Sequence, residues 1–454
     1  MKPPMFLAFG VAAFGGWMGY ASWYSRPGYW ATVSKPPIHI PFDSSRIDAR
    51  IRTAEETVRR DPNGALGWSR LSSEYLARSR ESDDSATAVK AEAAARKSLA
   101  LRKLGNVGAW NKLVQSLLQQ HRFHDALSQC LAAEKAKVSD DHTTRSHVEC
   151  LIEVGRYDEA RNLIKANSRA FGDASGKTIV ARLLDIDGKP ADALRLLQFC
   201  AREADGSAGM PSDAVAWFHT RTAIQLDKMG RHDESRREFQ TALTLYPRDY
   251  KAMAGLARVA FQDGRWQEAI DWGTKSDAIA QMADVRALVG DAYALLGQPD
   301  KAEAQYAKVA ELVGRPSGMN DGMHEVAPVA GTHGHRLDRQ YAIFCADHRR
   351  DLGGAYAAAL RDLESRRDIY AFDTLAWVCL QRGDKKEAVG AIAKALARGT
   401  RDPMLLFHAG TIYAAANDHS KADRYLKAAM AIDPNFDGVA ARKMASLGGE
   451  VAHP

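Results

Sequence analysis

Four side chains able to move protons or bind metal crowd into a short stretch: His335, Asp347, His348 and Asp351. Just upstream, "HEVAPVAGTHGHRLD" supplies His324, Glu325, His333, His335 and Asp338 within fifteen residues. These are the right residue types for a divalent metal, which needs three or four convergent nitrogen or oxygen ligands. Their spacing matches no defined zinc motif. Two readings follow. Either His324, His333, His335 and Asp338 form a metal-binding loop, or the segment is a polar connection that caps a helix or touches a partner.

The rest of the chain offers little further chemistry. "FGDASGKTIV" contains Gly176-Lys177-Thr178, but it lacks the glycine spacing of a phosphate loop and no strand leads into it. A turn before a helix accounts for it better. No GxSxG, HExxH or Walker A pattern occurs, so no catalytic residue and no cofactor is expected. A sparser group, His121, His124, His142 and His147, is expected at turns and on exposed helix faces. Five cysteines, with no CxxC, fit no disulfide framework. Cys130, Cys200, Cys345 and Cys379 fall at core positions, where a thiol behaves as a small hydrophobe. A Cys130–Cys150 pair is conceivable, although the spacing does not establish it.

What positions these residues is a repeat. Gly410, Ala422 and Ala429 are separated by twelve and then seven residues. The same offsets recur at Val114, Ala126 and Ala133, at Val148, Ala160 and Asn167, and at Ala181, Ala193 and Cys200. They recur again from Ala223, Ala257, Gly290 and Ala376, and uninterrupted neighbours are 33 or 34 residues apart. Small residues at these intervals let two helices cross closely, while larger ones such as Leu113, Phe239, Leu256 and Leu375 fill the space around them. Gly155, Gly188, Gly230, Gly264, Gly297 and Gly383 stop the first helix of each pair. No pair can bury its own apolar face, so the pairs must stack.

"GDAYALLGQPDKAEAQYAKV", "LARVAFQDGRWQEAI" and "HAGTIYAAANDHSKADRYLKAAMAIDP" carry the pattern most fully, and it resembles the tetratricopeptide repeat family over roughly residues 46 to 440. The resemblance implies an all-α, right-handed superhelical solenoid of about ten antiparallel helix hairpins. It also implies a concave groove that holds a segment of a protein partner, and a scaffold or assembly subunit in place of an enzyme. The alternative function is a metal-dependent enzyme or metal-responsive module built on residues 324–338.

Three interruptions stand out. "RSRESDDSATAV" is inserted in the first pair, "READGSAGMPSD" forms a surface loop, and the stretch from Gly314 to Gly334 is the longest break. The last of these is expected to fold back onto the superhelix, because Met319, Met323, Val326 and Val329 are interleaved with polar residues; a mobile hinge is the alternative. The domain expectation is an N-terminal apolar segment at 1–30, a linker at 31–45, and a first array at 46–313. The irregular loop follows at 314–334, then further units at 335–440 and a tail at 441–454.

Residues 5–24 carry no charge, and Trp17, Trp23, Tyr24, Tyr29 and Trp30 cluster at or beyond the far end. About twenty helical residues span a bilayer core, and interfacial aromatics flank such spans. A single-pass bacterial inner-membrane anchor is therefore expected, with membrane contact through residues 5–24 and the repeats in the periplasm. A cleaved export signal, leaving a secreted or periplasmic protein, is the alternative. The chain carries 62 basic and 56 acidic residues for a net charge of +6, with no dense basic block. That balance argues against nucleic acid and leaves room for an acidic protein partner.

Overall fold

A computed structural model describes residues 38–314 and 337–436. Among them the chain is all-α, a solenoid of ten helix hairpins preceded by a lone helix, with one isolated β-bridge and no sheet. The lone helix is α1 (Ser44–Arg60). The first five hairpins are α2 (Ala65–Ser82) with α3 (Ser85–Leu101), α4 (Val107–Gln119) with α5 (Phe123–Lys135), α6 (Asp141–Glu153) with α7 (Tyr157–Ala166), α8 (Ala174–Ile186) with α9 (Pro190–Asp205), and α10 (Ser212–Asp227) with α11 (His232–Leu245). The last five are α12 (Tyr250–Gln262) with α13 (Trp266–Asp277), α14 (Ala283–Leu295) with α15 (Pro299–Gly314), α16 (Asp338–Asp347) with α17 (Leu352–Ser365), α18 (Ile369–Arg382) with α19 (Lys385–Ala395), and α20 (Pro403–Ala415) with α21 (His419–Ile432).

Local chemistry sets the helix ends. Aspartates cap many of them: Asp140, Asp173, Asp249, Asp368 and Asp402 each accept a hydrogen bond from a backbone N–H in the first helical turn. Such caps are each worth about 1 kcal/mol. Pro403 follows Asp402 at the first helical position, where its missing N–H costs nothing. Residues at the twelve-and-seven spacing form the hairpin crossings: Ala126, Ala160, Ala193, Ala223, Ala257 and Ala388 are each fully buried. At Gly290 a Cβ would lie 2.5 Å from the Tyr306 ring, so the crossing there has no room for one. Leu113, Phe239 and Leu256 fill the core between crossings and are at most 2 % exposed.

The inserted segments do not form free loops. "RSRESDDSATAV" is absorbed by lengthening α2 and α3, so the first hairpin has a long tip that turns at Asp83 (φ 55°). That tip reaches the junction of the fifth and sixth hairpins, where Arg248 lies 3.5 Å from Glu81. The "READGSAGMPSD" loop instead binds the chain's own N-terminal side. Gly209 N–H donates to Ile38 O (3.0 Å), Ile40 N–H to Met210 O (3.0 Å) and Ser212 N–H to Ile40 O (2.9 Å). Phe42 then packs edge-on against Tyr246, with ring centroids 4.8 Å apart.

The solenoid also meets itself. The turns inside the third, fourth and fifth hairpins abut the connections around the ninth and tenth. Gly155, Gly188 and Gly230, all left-handed, lie so close to the opposing backbone that a Cβ would sit 2.2 Å from Arg367 O, 2.0 Å from Gly399 O and 2.4 Å from Ile432 O. Gly264, Gly297 and Gly383 occupy the equivalent turns elsewhere and have nothing within 4 Å in that direction. Side chains stitch the same seam. Ile369 N–H donates to Tyr157 Oη (2.9 Å), Arg398 donates to Asp187 (3.2 Å), and Gln262 donates to Phe436 O (3.1 Å). The connections around the ninth and tenth hairpins thus close against the turns of the third to fifth.

One expectation is corrected. No helix among the described residues is long and apolar enough to cross a membrane. Most of the described helices carry charges on the faces that neighbouring hairpins leave free, and the uncharged α20 spans only Pro403–Ala415. The transmembrane helix, the membrane contact and the inner-membrane or periplasmic placement built on them do not stand. Residues 5–24, on which that expectation fell, lie outside the described residues, as does the expected fold-back of the loop at 314–334, save Gly314.

Candidate interaction surface and seam cavity

The His/Asp quartet does not converge. His335 lies outside the described residues, as do His324 and His333. Asp338 opens α16 and accepts from Arg361 at 2.6 Å. Asp347 accepts from Trp377 Nε1 (2.7 Å), His348 bonds Asp291 (2.8 Å), and Asp351 caps α17 by accepting from Gly354 N–H (3.0 Å). Among the described residues no group of three or more His, Cys, Asp or Glu side chains could hold a metal. Gly176, Lys177 and Thr178 lie inside the first turns of α8, where Asp173 accepts from Gly176 N–H (2.8 Å) and Lys177 rests over the Phe199 ring.

All five cysteines are buried and free, as their core positions imply. Cys130 and Cys150 are neighbours, and the hydrogen bond with the Cys130 thiol, together with burial, pushes the Cys150 thiol far above its ordinary range. Of the second histidine group, His121 sits at a left-handed turn and His142 is exposed. His147 departs from expectation: it is 8 % exposed and bonded to Glu134 at 2.7 Å. Sequence reading missed a wider habit of this chain. His219 lies between Glu238 (2.7 Å) and Asp205 (3.0 Å), and His408 pairs with Asp373 (3.0 Å). The only sequence signal was a histidine on the first helix of a pair, which cannot reveal a carboxylate partner on a neighbouring element.

Three basic side chains on successive hairpins lack a close ion pair among the described residues. Arg80 of α2, Lys112 of α4 and His142 of α6 make no ion pair with a described carboxylate. Arg80 is exposed, yet desolvation, only partly offset by Asp213, holds its pKa below the ordinary guanidinium value. Both hold when a side chain stands inside a curved wall, where water reaches it but protein surrounds it. Lys112 is lowered by desolvation and then by Arg80. His142 is lowered by desolvation and then, against the opposing pull of Asp140, by Arg145, Lys112 and Arg80. Each cation thus feels the one on the next hairpin. On the fifth hairpin Trp217 is 41 % exposed, one helical turn from Arg221.

Further along lies a cavity of about 430 Å³. Arg182, Asp185, Arg221 and Lys228 line it from the fourth and fifth hairpins, and Tyr370 of the ninth closes it across the seam. Arg182 pairs with Glu153 (2.7 Å). Lys228 Nζ lies 3.0 Å from Asp185 and 3.2 Å from Asp402, and it donates to Tyr370 Oη (2.6 Å). Burial opposes the charge on Lys228, but Tyr370, Asp185 and Asp402 outweigh it and raise its pKa well above the ordinary value. A smaller cavity of about 200 Å³ lies on the same seam, between Tyr157 and Arg398.

Residues 221–283 and 405–436 match two models of the tetratricopeptide repeat. No curated protein matches the chain. Several solved structures are similar in fold. PilW, described as a widely conserved type IV pilus biogenesis factor, is 16 % identical, with 45 % of this chain and 92 % of that one covered at a TM-score of 0.38. A tetratricopeptide repeat protein from Parabacteroides merdae is 18 % identical, with 55 % and 94 % covered at a TM-score of 0.35. Human IFIT1, solved as a dimer with PPP-AAAA, is 12 % identical, with 86 % and 88 % covered at a TM-score of 0.44.

Proposed function

We propose that this tetratricopeptide-repeat protein is a binding scaffold that holds an acidic segment of a protein partner along the inner wall of its first hairpins. The repeat fold is a non-catalytic interaction module that generally serves protein–protein contacts. One observation carries the polarity of the partner: Arg80, Lys112 and His142 come from three successive hairpins, influence one another and make no close ion pair among the described residues, Asp213 and Asp140 offsetting them only in part. Like charges held together inside a curved wall oppose the folded state and favour a ligand of opposite sign. The exposed Trp217 adds a large rigid side chain of the kind that dominates interface energetics.

The reading is tested by fluorescence anisotropy with a labelled Glu/Asp-rich peptide and a neutral peptide of the same length. The acidic peptide should bind more tightly, and its affinity should fall as salt rises. The double variant R80E/K112E should weaken it by about tenfold or more, roughly 1.4 kcal/mol. Equal affinity for both peptides, or no effect of the double reversal, would overturn the proposal.

A further inference from the structure

The larger seam cavity holds one cation that is not directly paired among the described residues. Arg182 is matched by Glu153 and Lys228 by Asp185 and Asp402. Arg221, also lining it, makes no ion pair or hydrogen bond with a described residue. Desolvation, and then the neighbouring charge of Arg182, lowers its pKa. Glu149, Asp185 and Tyr370 oppose that lowering from a distance, but none makes an ion pair or hydrogen bond with Arg221, and Glu149 is itself held above the ordinary carboxylate range by burial. Ile186, Leu197 and Ile224 form the apolar part of the lining. A guanidinium presents its donors as a planar fork suited to two oxygens of one oxyanion. A volume of about 430 Å³ lies in the range of small-molecule pockets.

We infer that the seam cavity is a binding site for a small organic anion, a carboxylate or phosphate on a compact apolar body, gripped by the free fork of Arg221. The apolar body lies against Ile224 and Leu197. Tyr370 covers the site from the other side of the seam, so an occupied site joins the ninth hairpin to the fifth. Ligand and seam closure then reinforce each other, since anything that binds only the closed form stabilises it.

The test uses the full chain at low ionic strength, titrated calorimetrically with inorganic phosphate and, separately, with isovalerate. At least one should bind, and the stronger of the two identifies the oxyanion. Arg221→Gln should weaken that binding by about tenfold or more, the loss expected for a charge-assisted hydrogen bond. Arg59→Gln, exposed on α1 and outside the cavity lining, should leave it unchanged. In the wild type, phosphate or isovalerate should also protect Arg221, and not the exposed Arg59, from phenylglyoxal as read by peptide mass spectrometry, which does not depend on how the variant folds. Binding of neither probe, equal binding by Arg221→Gln, or absence of selective protection would each overturn the inference. No partner segment takes part, so the result is independent of the scaffold reading.

Discussion

Asp433, 1 % exposed, places a carboxylate oxygen 3.0 Å from Nε2 of His232, a residue 201 positions earlier in the chain. The other ring nitrogen of His232 is 2.9 Å from Asp263. The imidazole thus bridges the fifth hairpin, the sixth and the end of the tenth.

This bridge makes stability depend on pH. Burial disfavours the charged ring, but Asp433 and Asp263 outweigh it and raise the pKa of His232 to about 9. A raised histidine pKa contributes stability that is full below the unfolded value of about 6.5 and is lost as pH rises through 9. The contribution is on the order of 2–3 kcal/mol. Asp227, also facing this cluster, is raised by burial to about 6, so its effect falls below that window, while Arg236 and Arg258 stay charged throughout it. Thermal unfolding should therefore show a fall in Tm between pH 7 and pH 10 that is larger in the wild type than in His232→Gln. Parallel curves for the two proteins would refute the assignment.

Gly188 and Gly297 offer a controlled comparison. Both are left-handed, at φ 70° and 71°, so alanine costs each about 1–2 kcal/mol. Only Gly188→Ala places a Cβ against Gly399 O across the seam. Gly188→Ala should lower Tm by several degrees more than Gly297→Ala, since about 1 kcal/mol moves the midpoint of a large domain a few degrees. Hydrogen exchange should speed up at residues 396–402 in that variant alone. Equal losses would mean that the seam contributes nothing to stability.

Arg339 holds two buried carboxylates, with Nε 2.8 Å from Asp362 and Nη2 2.8 Å from Asp368. Those acids are 3 % and 2 % exposed. Burial drives the Asp368 pKa up, but Arg339 and Arg366 overcome it and leave it below the ordinary range. Arg339→Met should cost about 3–5 kcal/mol by denaturant titration, because it leaves buried charge uncompensated. Arg339→Lys should recover only part of this, since an ammonium cannot fork to both acids. Full recovery by lysine would show that charge alone, without the fork, suffices.

The hairpins were legible in the sequence because a helix crossing is local: Gly290, Ala302 and Val309 announce one by size and interval alone. The seam was not legible. Gly155, Gly188 and Gly230 read as ordinary helix stops, identical in type to Gly264 and Gly297, and what they meet is backbone carbonyl, which carries no residue code. Arg221 was likewise silent, since its distinction is the lack of a partner. The histidine cluster misled for the opposite reason. His348 and Asp347 are close in sequence but project to different elements, Asp291 of α14 and Trp377 of α18.

A row of stacked hairpins in which each touches only its neighbours frays from its ends, one unit at a time. Here the tenth hairpin is held both by the ninth beside it and, through Gly230 and His232, by the fifth across the seam. Peeling it away must break contacts in the middle of the chain as well as at the tip. The long-range closure that slows folding thus turns a ladder of semi-independent rungs into something nearer a barrel with hoops, whose loss of order is collective.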